Sequence, residues 1–443
     1  MMARLFGTDG VRGLANREIT PEFALQLGQA AARVLAEGTV GRPKAIIGRD
    51  TRQSSAMLSH AVGAGLASAG VDVEHVREIP TPGIAYLTSA RGYDLGVMIS
   101  ASHNAMPDNG IKFINANGFK LDDAIEDRIE ANLTSDWERP VGAEVGWIDE
   151  SAAVSDRHYM DHLVSVGADL TGLSVVLDCA NGAASHVAPK VFQELGADVV
   201  VINASPDGRN INRNAGSTHP YRLQQMVKAA DADMGFAFDG DADRCLAVDT
   251  NGVLVNGDSI MGLLARSMKE KGELTGNTLV ITVMSNLGLR LALDAEGIDY
   301  SVTGVGDRYV LEEMLAKGYV IGGEQSGHVI NLNHATTGDG TLTGILVASE
   351  IARRGEPLHK AIDWVEELPQ RLINVPNVDK TRTEEIAAEV AAAEAELGQT
   401  GRVLLRASGT EPLVRVMVEA KTQEQTDRVA ENLAAVVAER LAL

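Results

Sequence analysis

Ser174-Val175-Val176-Leu177-Asp178 leads through Cys179-Ala180-Asn181-Gly182 into a helical stretch that closes on Gly196-Ala197-Asp198, and a second apolar run follows from Val199 to Ile202. An apolar run of strand length, a polar turn, a helix and another apolar run make a parallel β-α-β unit. Its glycine stands at the helix C-terminus, where a left-handed residue is wanted. The same pattern occurs upstream, where Ala45 to Gly48 passes through Arg49-Asp50-Thr51-Arg52 into a helix ending near Gly70-Val71-Asp72, before Val73 to Val76. It occurs again downstream, where Thr278 to Thr282 passes through Met284-Ser285-Asn286 to Gly297-Ile298-Asp299 and Tyr300-Ser301-Val302. Three related α/β domains are therefore expected, bounded at 1–165, 166–258 and 259–367.

The flanks differ from this repeat. Thr20 as N-cap, Pro21 in the first turn, apolar Phe23, Leu27, Val34 and Leu35, and Gly38 beyond the end predict an amphipathic helix in the first domain. After about Leu368-Pro369 the pattern becomes a strand over Arg371 to Val375, a polar, alanine-rich helix from Thr381 to Leu397, two strands around Ser408-Gly409-Thr410, and a last helix. This is a smaller α+β domain, 368–443. A chain of 443 residues needs several cores, so four domains suit its length.

Composition narrows the function. With 39 Lys and Arg against 61 Asp and Glu, the net charge of -22 opposes polyanions, so nucleic acid is a poor partner. No apolar run approaches the roughly 20 residues of a membrane span, and the N-terminus lacks the apolar segment of a secretory signal. Two cysteines, Cys179 and Cys245, give no disulfide framework and no zinc-thiolate spacing. The expectation is a cytoplasmic protein with no membrane partner, acting on an anionic small molecule through locally focused arginines and backbone amides.

Four motifs carry chemistry. Phe238-Asp239-Gly240-Asp241-Ala242-Asp243-Arg244 sets three carboxylates at every second position after the apolar Met234 to Phe238. Converging anions repel one another, and a hard divalent cation coordinated by oxygen removes that penalty, with magnesium the first choice. An EF-hand is excluded by Arg244 where its glycine belongs and Thr250 where its terminal glutamate belongs. Gly96 to Ile99 followed by Ser100-Ala101-Ser102-His103-Asn104 places a candidate nucleophile at a strand end, with His103 and Lys112 for proton transfer or charge stabilisation. A G-x-S-x-G elbow is absent. Gly322-Gly323-Glu324-Gln325-Ser326-Gly327-His328 alternates acceptors and donors on a glycine-flexed loop, which suits a sugar. Arg406-Ala407-Ser408-Gly409-Thr410-Glu411-Pro412, with Arg415, has the composition of a phosphate cradle but lacks the Walker pattern. Each motif has a bland counterpart, respectively an acidic turn, a plain loop, a polar hairpin turn and a solvated basic hairpin. Because each lies in a different expected domain, one central cleft is the economical account.

Four such motifs in this order resemble the α-D-phosphohexomutase family along essentially the whole chain. Leu5-Phe6-Gly7-Thr8-Asp9-Gly10-Val11-Arg12-Gly13, the G-G-E-Q-S-G-H sugar loop, Val305-Gly306-Asp307-Arg308-Tyr309-Val310, and Asn210-Ile211-Asn212 with Gly216-Ser217-Thr218-His219 resemble its bacterial amino-sugar branch. Ala105 and Ala215 depart from the family pattern, which commonly has Pro and Cys there. The resemblance implies three mixed-sheet α/β domains and a smaller α+β domain around a central cleft. It implies that Ser102 is a phosphoserine, and that Asp239, Asp241 and Asp243 hold one Mg2+ together with a phosphate oxygen on that serine. Glu324 and Ser326 would hold sugar hydroxyls. Arg406, Ser408, Gly409, Thr410 and Arg415 would hold the phosphate that is not reacting. Arg12, Lys112 and Arg244 would surround the transferring group, with His103, Lys112 and His328 open as general acid or base. The implied activity interconverts glucosamine 6-phosphate and glucosamine 1-phosphate through a 1,6-bisphosphate that also serves as primer, supplying the amino sugar for UDP-N-acetylglucosamine and the cell wall. Mannose or glucose phosphates as substrate, a magnesium-dependent phosphatase, and a non-catalytic sugar-phosphate-binding regulator are the alternatives, and a homodimer is compatible with all of them.

Overall fold

A computed structural model of the protein describes residues 4–7, 9–149, 155–407 and 413–443. These form two compact units, Met1–Val283 with Tyr300–Ile362, and Met284–Asp299 with Asp363–Leu443.

The first unit contains three mixed sheets. In the first, the strands lie in the order Val11–Leu14, Asp108–Asn115, Leu95–Ile99, Lys44–Arg49, Asp72–Glu78 and Ile148–Asp149. Lys44–Arg49 is parallel to both neighbours, whereas Asp108–Asn115 runs antiparallel to Leu95–Ile99 and to Val11–Leu14. Leu95–Ile99 is buried along its whole length, which is why it reads as an unbroken apolar run rather than an alternating one. The second sheet has the order Leu254–Val255, Cys245–Asp249, Met234–Phe238, Ser174–Asp178, Asp198–Ile202. The third has Asp299–Thr303, Thr278–Thr282, Ile321–Gly323, Val329–Asn331. The three repeat glycines, Gly70, Gly196 and Gly297, all adopt positive φ (90°, 94° and 62°), as a left-handed helix end requires.

The expected N-terminal helix spans Pro21–Leu35, and the Thr20 hydroxyl accepts from the Phe23 N–H at 3.2 Å. It packs on helix Gln53–Ser68 at backbone contact. A Cβ on Gly28 would stand 2.5 Å from the Val62 carbonyl oxygen, and one on Gly65 would stand 2.2 Å from that of Leu25. Leu27, Leu58, Val62 and Leu66 carry this contact into the core with Ile47, Val97 and Ile99.

The second unit has a three-stranded antiparallel sheet, ordered Gln370–Pro376, Leu413–Glu419, Arg402–Ala407, with helix Gln423–Arg440 and a core that includes Val403, Val414, Val416, Val429 and Val437. One expectation changes here. The alanine-rich helix is split into a 3-10 turn, Thr383–Ile386, and an α-helix, Ala387–Leu397, because Ile386 turns into the core with φ at -111°. The segment Met284–Asp299 lies in the same compact unit as the C-terminal residues. Asn286 exchanges two 3.0 Å hydrogen bonds with the Leu368 backbone, and Arg402 donates to the Ser285 carbonyl at 2.7 Å. The buried Glu419 carboxylate joins them, accepting from the Leu287 N–H at 2.9 Å and from Arg402 at 2.6 Å.

Gly65→Ala tests the helix contact. Alanine has the better helix propensity by about 1 kcal/mol, yet overpacking against the Leu25 carbonyl costs about 1–3 kcal/mol. Net destabilisation is expected in urea denaturation, and a rise in midpoint would show that the helices are not held this closely.

Candidate active site

The second sheet's strand Met234–Phe238 is buried throughout and releases its chain at Asp239. Asp239, Asp241 and Asp243 are all buried, and carboxylate oxygens from the three lie within 4.8 Å of one another. Burial, then the charges of Asp243 and Asp241, push the Asp239 carboxyl well above its ordinary range. Asp241 behaves oppositely. Burial raises it, but the Lys112 ammonium at 2.8 Å and the Thr81 hydroxyl at 2.6 Å bring it down to about 2. Asp241 Oδ1 and Asp243 Oδ1 remain buried without a hydrogen-bond partner among the described residues. Three clustered anions with two unsatisfied oxygens have the donor set of a hard divalent cation.

Ser102, 1% exposed, faces this cluster. Its hydroxyl donates to Asp239 Oδ2 at 2.6 Å and lies 3.3 Å from His103 Nδ1. Burial, then Arg244 and Arg12, lower the His103 pKa, so the imidazole is neutral at pH 7. Ser102 holds a left-handed backbone with φ at 50°, which is costly away from glycine. The strand end is built to impose it. The Ser102 carbonyl accepts from Arg52 at 2.9 Å and Asn212 at 2.8 Å, and the Ser102 N–H donates to Ser100 Oγ at 2.9 Å. Arg52 is itself set by the wholly buried Asp50 at 2.8 Å, which also receives Ser100 at 2.7 Å. Gly240 completes the contact, since a Cβ there would stand 2.5 Å from the Ser102 carbonyl oxygen. The glycine inside the aspartate motif is thus the space through which the serine loop reaches the carboxylates.

A cavity of about 490 Å³ opens beside this cluster, lined among others by Arg12, His103, Asp243, Arg244, Glu324 and His328. The Nε atoms of Arg12 and Arg244 are buried without a hydrogen-bond partner among the described residues, which leaves donors for an anion. Glu324 Oε1 accepts from the Gly306 N–H at 3.1 Å, and the buried His328 has Nε2 at 3.4 Å from Asp307 Oδ2. Ser326 is exposed. Gly322 and Gly323, expected in the flexible loop, belong to strand Ile321–Gly323. A Cβ on Gly323 would stand 2.2 Å from the His328 carbonyl oxygen, so these glycines serve close strand pairing, and only Gly327, with φ at 92°, uses glycine's conformational freedom.

The first unit therefore brings together Ser102, His103, Lys112, Arg12, Arg244, Glu324, His328 and the three aspartates. In the second unit, Arg406 and Arg415 stand directly opposite on paired strands. Burial and the Arg415 charge lower the Arg406 pKa, and Arg415 Nε is buried without a hydrogen-bond partner among the described residues. Like charges in register are unfavourable until an anion joins them. Ser408, Gly409 and Thr410 lie outside the described residues.

Sequence reasoning assigned no role to several groups in this network. Asp9 receives Lys112 at 2.7 Å, Lys120 at 2.6 Å and also Arg12, and Lys120 continues to Asp307. Burial raises Asp9, but these cations hold it well below the carboxylate range. Asp9, Asp307 and Asn212 stand in stretches that carried the family resemblance, and Arg52 in the first β-α turn. Lys120 and Thr81 have no local signal, since their partners are distant in the chain.

Models of the phosphoglucomutase/phosphomannomutase α/β/α domains I, II and III match residues 3–139, 157–252 and 256–368, and that of the C-terminal domain matches 372–436. The chain belongs to the phosphoglucomutase/phosphomannomutase family, and it is a mutase, an enzyme of the isomerase class. It is 59% identical over 454 residues to phosphoglucosamine mutase of Bifidobacterium animalis subsp. lactis, covering 100% of both chains. Its fold is similar to that of a phosphoglucomutase/phosphomannomutase family protein from Burkholderia thailandensis, with TM-score 0.82 and 23% identity over 100% of this chain and 99% of that one. It is also similar to Aspergillus fumigatus N-acetylphosphoglucosamine mutase in complex with GlcNAc-6P and magnesium, with TM-score 0.68 and 18% identity over 98% and 95% of the two chains.

Magnesium is expected to raise the melting temperature in a thermal-shift titration, because a ligand that binds only the folded state at 100 times its Kd adds about 2.7 kcal/mol. Asp243→Asn should remove most of that increment. An equal magnesium response in the variant would place the cation elsewhere.

Proposed function

We propose that the protein interconverts glucosamine 6-phosphate and glucosamine 1-phosphate in the cytoplasm, supplying the amino sugar for UDP-N-acetylglucosamine and cell-wall synthesis. The observation that carries the chemistry is the Ser102 hydroxyl held 2.6 Å from Asp239 in a carboxylate cluster beside a cavity with unpaired arginine donors. Full-length kinship with a phosphoglucosamine mutase supports the choice of sugar.

In this reading Ser102 is a phosphoserine in the resting enzyme. The C1 hydroxyl of glucosamine 6-phosphate attacks its phosphorus, the P–O bond to serine breaks, and the hydroxyl proton leaves to a base. The product is glucosamine 1,6-bisphosphate. After the sugar reverses, the Ser102 hydroxyl attacks the 6-phosphate, the C6 oxygen takes up a proton, and glucosamine 1-phosphate is released. Hexose 1,6-bisphosphate also primes unphosphorylated enzyme by the same transfer.

Asp239, Asp241 and Asp243, together with phosphoserine 102, would hold one Mg2+, which would supply charge neutralisation for the transferring phosphoryl group. Lys112, Arg12 and Arg244 surround that group and balance its developing charge. His103, neutral and 3.3 Å from the Ser102 oxygen, is placed to move the serine proton. Lys112 is held charged by Asp241 and Asp9 despite its burial, which suits it to electrostatic stabilisation rather than to the role of base. His328 and Glu324 line the same cavity and face the sugar, with Ser326 on the turn between them. Arg406 and Arg415, with Ser408, Gly409 and Thr410, take the phosphate that is not reacting.

Phosphorus NMR with magnesium and a trace of hexose 1,6-bisphosphate tests this reading. A 1-phosphate signal is expected to grow fastest from glucosamine 6-phosphate and to fall by at least about 10³-fold in Ser102→Ala, since removal of a nucleophile costs that much or more. Faster conversion of glucose or mannose 6-phosphate would reassign the substrate. Net release of inorganic phosphate would indicate a phosphatase, and no conversion a binding protein.

A further inference from the structure

A second cavity, of about 1100 Å³, lies in the Ser174–Ile202 half of the second sheet and shares no lining residue with the cavity beside Ser102. Strand Ser174–Asp178 has Asp198–Ile202 on one side and Met234–Phe238 on the other, all three parallel. The chain order thus reverses direction at Ser174–Asp178, and in open α/β sheets ligands bind in the crevice beyond the carboxyl ends of strands at such a point. Met234–Phe238 ends in the aspartate cluster, so the reactive centre uses one part of that edge. The second cavity uses the rest. Asn181 follows the first of these strands and Asn203 the second, and both line it.

Its walls have a consistent chemistry. Arg213 and Arg222 line it, and no aspartate or glutamate does so among the described residues. In a chain of net charge -22 that is a marked local reversal. Arg222 donates to Asn203 Oδ1 at 3.1 Å, and Asn203 in turn donates to the buried Asp178 at 3.0 Å. The Arg213 guanidinium makes no hydrogen bond or ion pair with a described residue. Tyr221, 69% exposed, presents its ring at the rim. Asn181 and Asn203 have positive φ (48° and 49°), and a left-handed backbone by itself favours asparagine. That preference explains those two residues but not two arginines and an exposed aromatic ring around one acid-free cavity.

We propose that this cavity binds a nucleoside phosphate. Arg213 and Arg222 take the phosphates, whose geometry matches the guanidinium fork. Tyr221 offers a stacking face for the base, and the surrounding asparagine and glutamine amides offer both donors and acceptors to its edge. The site is coupled to Ser102 by one short loop. Asn210 and Arg213 line the cavity, while Asn212 between them donates to the carbonyls of Ser102 and Asn104 at 2.8 and 3.0 Å. Occupancy that shifts this loop changes the support of the Ser102 backbone, and hence the rate of transfer at that serine.

Isothermal titration calorimetry of the full-length protein with UDP, ADP and inorganic phosphate tests the site. The expected result is that a nucleotide binds at least ten-fold more tightly than phosphate, is not displaced by saturating glucose 1,6-bisphosphate, and loses at least ten-fold affinity in the doubly substituted R213A/R222A. That variant should keep the parent melting temperature and basal mutase rate. Absence of nucleotide binding up to millimolar concentration, displacement by the bisphosphate, equal affinity for phosphate alone, or unchanged affinity in the variant would each overturn the proposal. A mutase rate that saturating nucleotide leaves unaltered would overturn the coupling to Ser102.

Discussion

The mutual repulsion of Asp239, Asp241 and Asp243 is the constraint around which the first unit is organised. Three carboxylates in one buried cluster cannot all be charged and unpaired, because charges interact several-fold more strongly in a protein interior than in water. Their surroundings answer in different ways. Asp241 is neutralised by Lys112 and hydrogen-bonded by Thr81, which come from the first sheet and the helix Thr81–Ala90 beside it. Asp239 is left raised, with a serine hydroxyl as its partner. From Lys112 an alternating ladder of charge continues through Asp9 and Lys120 to Asp307, beside which His328 lies, so that acids and bases far apart in the chain hold one another in place. Each member is buried or nearly so, and removing one strands its neighbours.

That ladder has a mechanical counterpart on the backbone of Ser102. A serine with positive φ persists only when its surroundings over-determine it. Here Arg52 and Asn212 fasten its carbonyl, Ser100 its N–H, and the missing side chain of Gly240 lets the aspartate loop close to contact. Asp50 ties Arg52 and Ser100 together by accepting from both. The Ser102 hydroxyl is therefore aimed by elements of two sheets. Preorganisation of this kind suits phosphoryl transfer, in which position and charge matter more than covalent chemistry.

The second unit obeys a different logic. Its core is an ordinary aliphatic sheet-helix contact, and its distinctive feature is Arg406 set opposite Arg415, an arrangement that costs stability unless an anion is shared. Glu419 shows the contrast. It is a buried carboxylate paired with Arg402 and capped by the Leu287 N–H, so it is structural, and it anchors the segment Met284–Asp299.

Short-range pattern was sufficient for much of this protein. Apolar runs, left-handed glycines at helix ends and the Thr20 cap located the repeated β-α-β units, because those signals depend on neighbours within a few residues. The spacing of Asp239, Asp241 and Asp243 after a buried strand likewise indicated a crowded carboxylate cluster, since the repulsion is written into adjacent positions. Partners across the chain were not legible. Lys120 meets Asp9 and Asp307, Thr81 meets Asp241, and Met284–Asp299 joins the C-terminal residues. Gly322 and Gly323 resembled loop flexibility but serve strand contact. Local sequence determined which elements form and which charges crowd together, because backbone preference and repulsion between near neighbours act over a few residues. Only the tertiary structure decided which distant lysine, threonine or carbonyl relieves each of them, because desolvation makes a buried charge take whatever partner the packing of two sheets delivers.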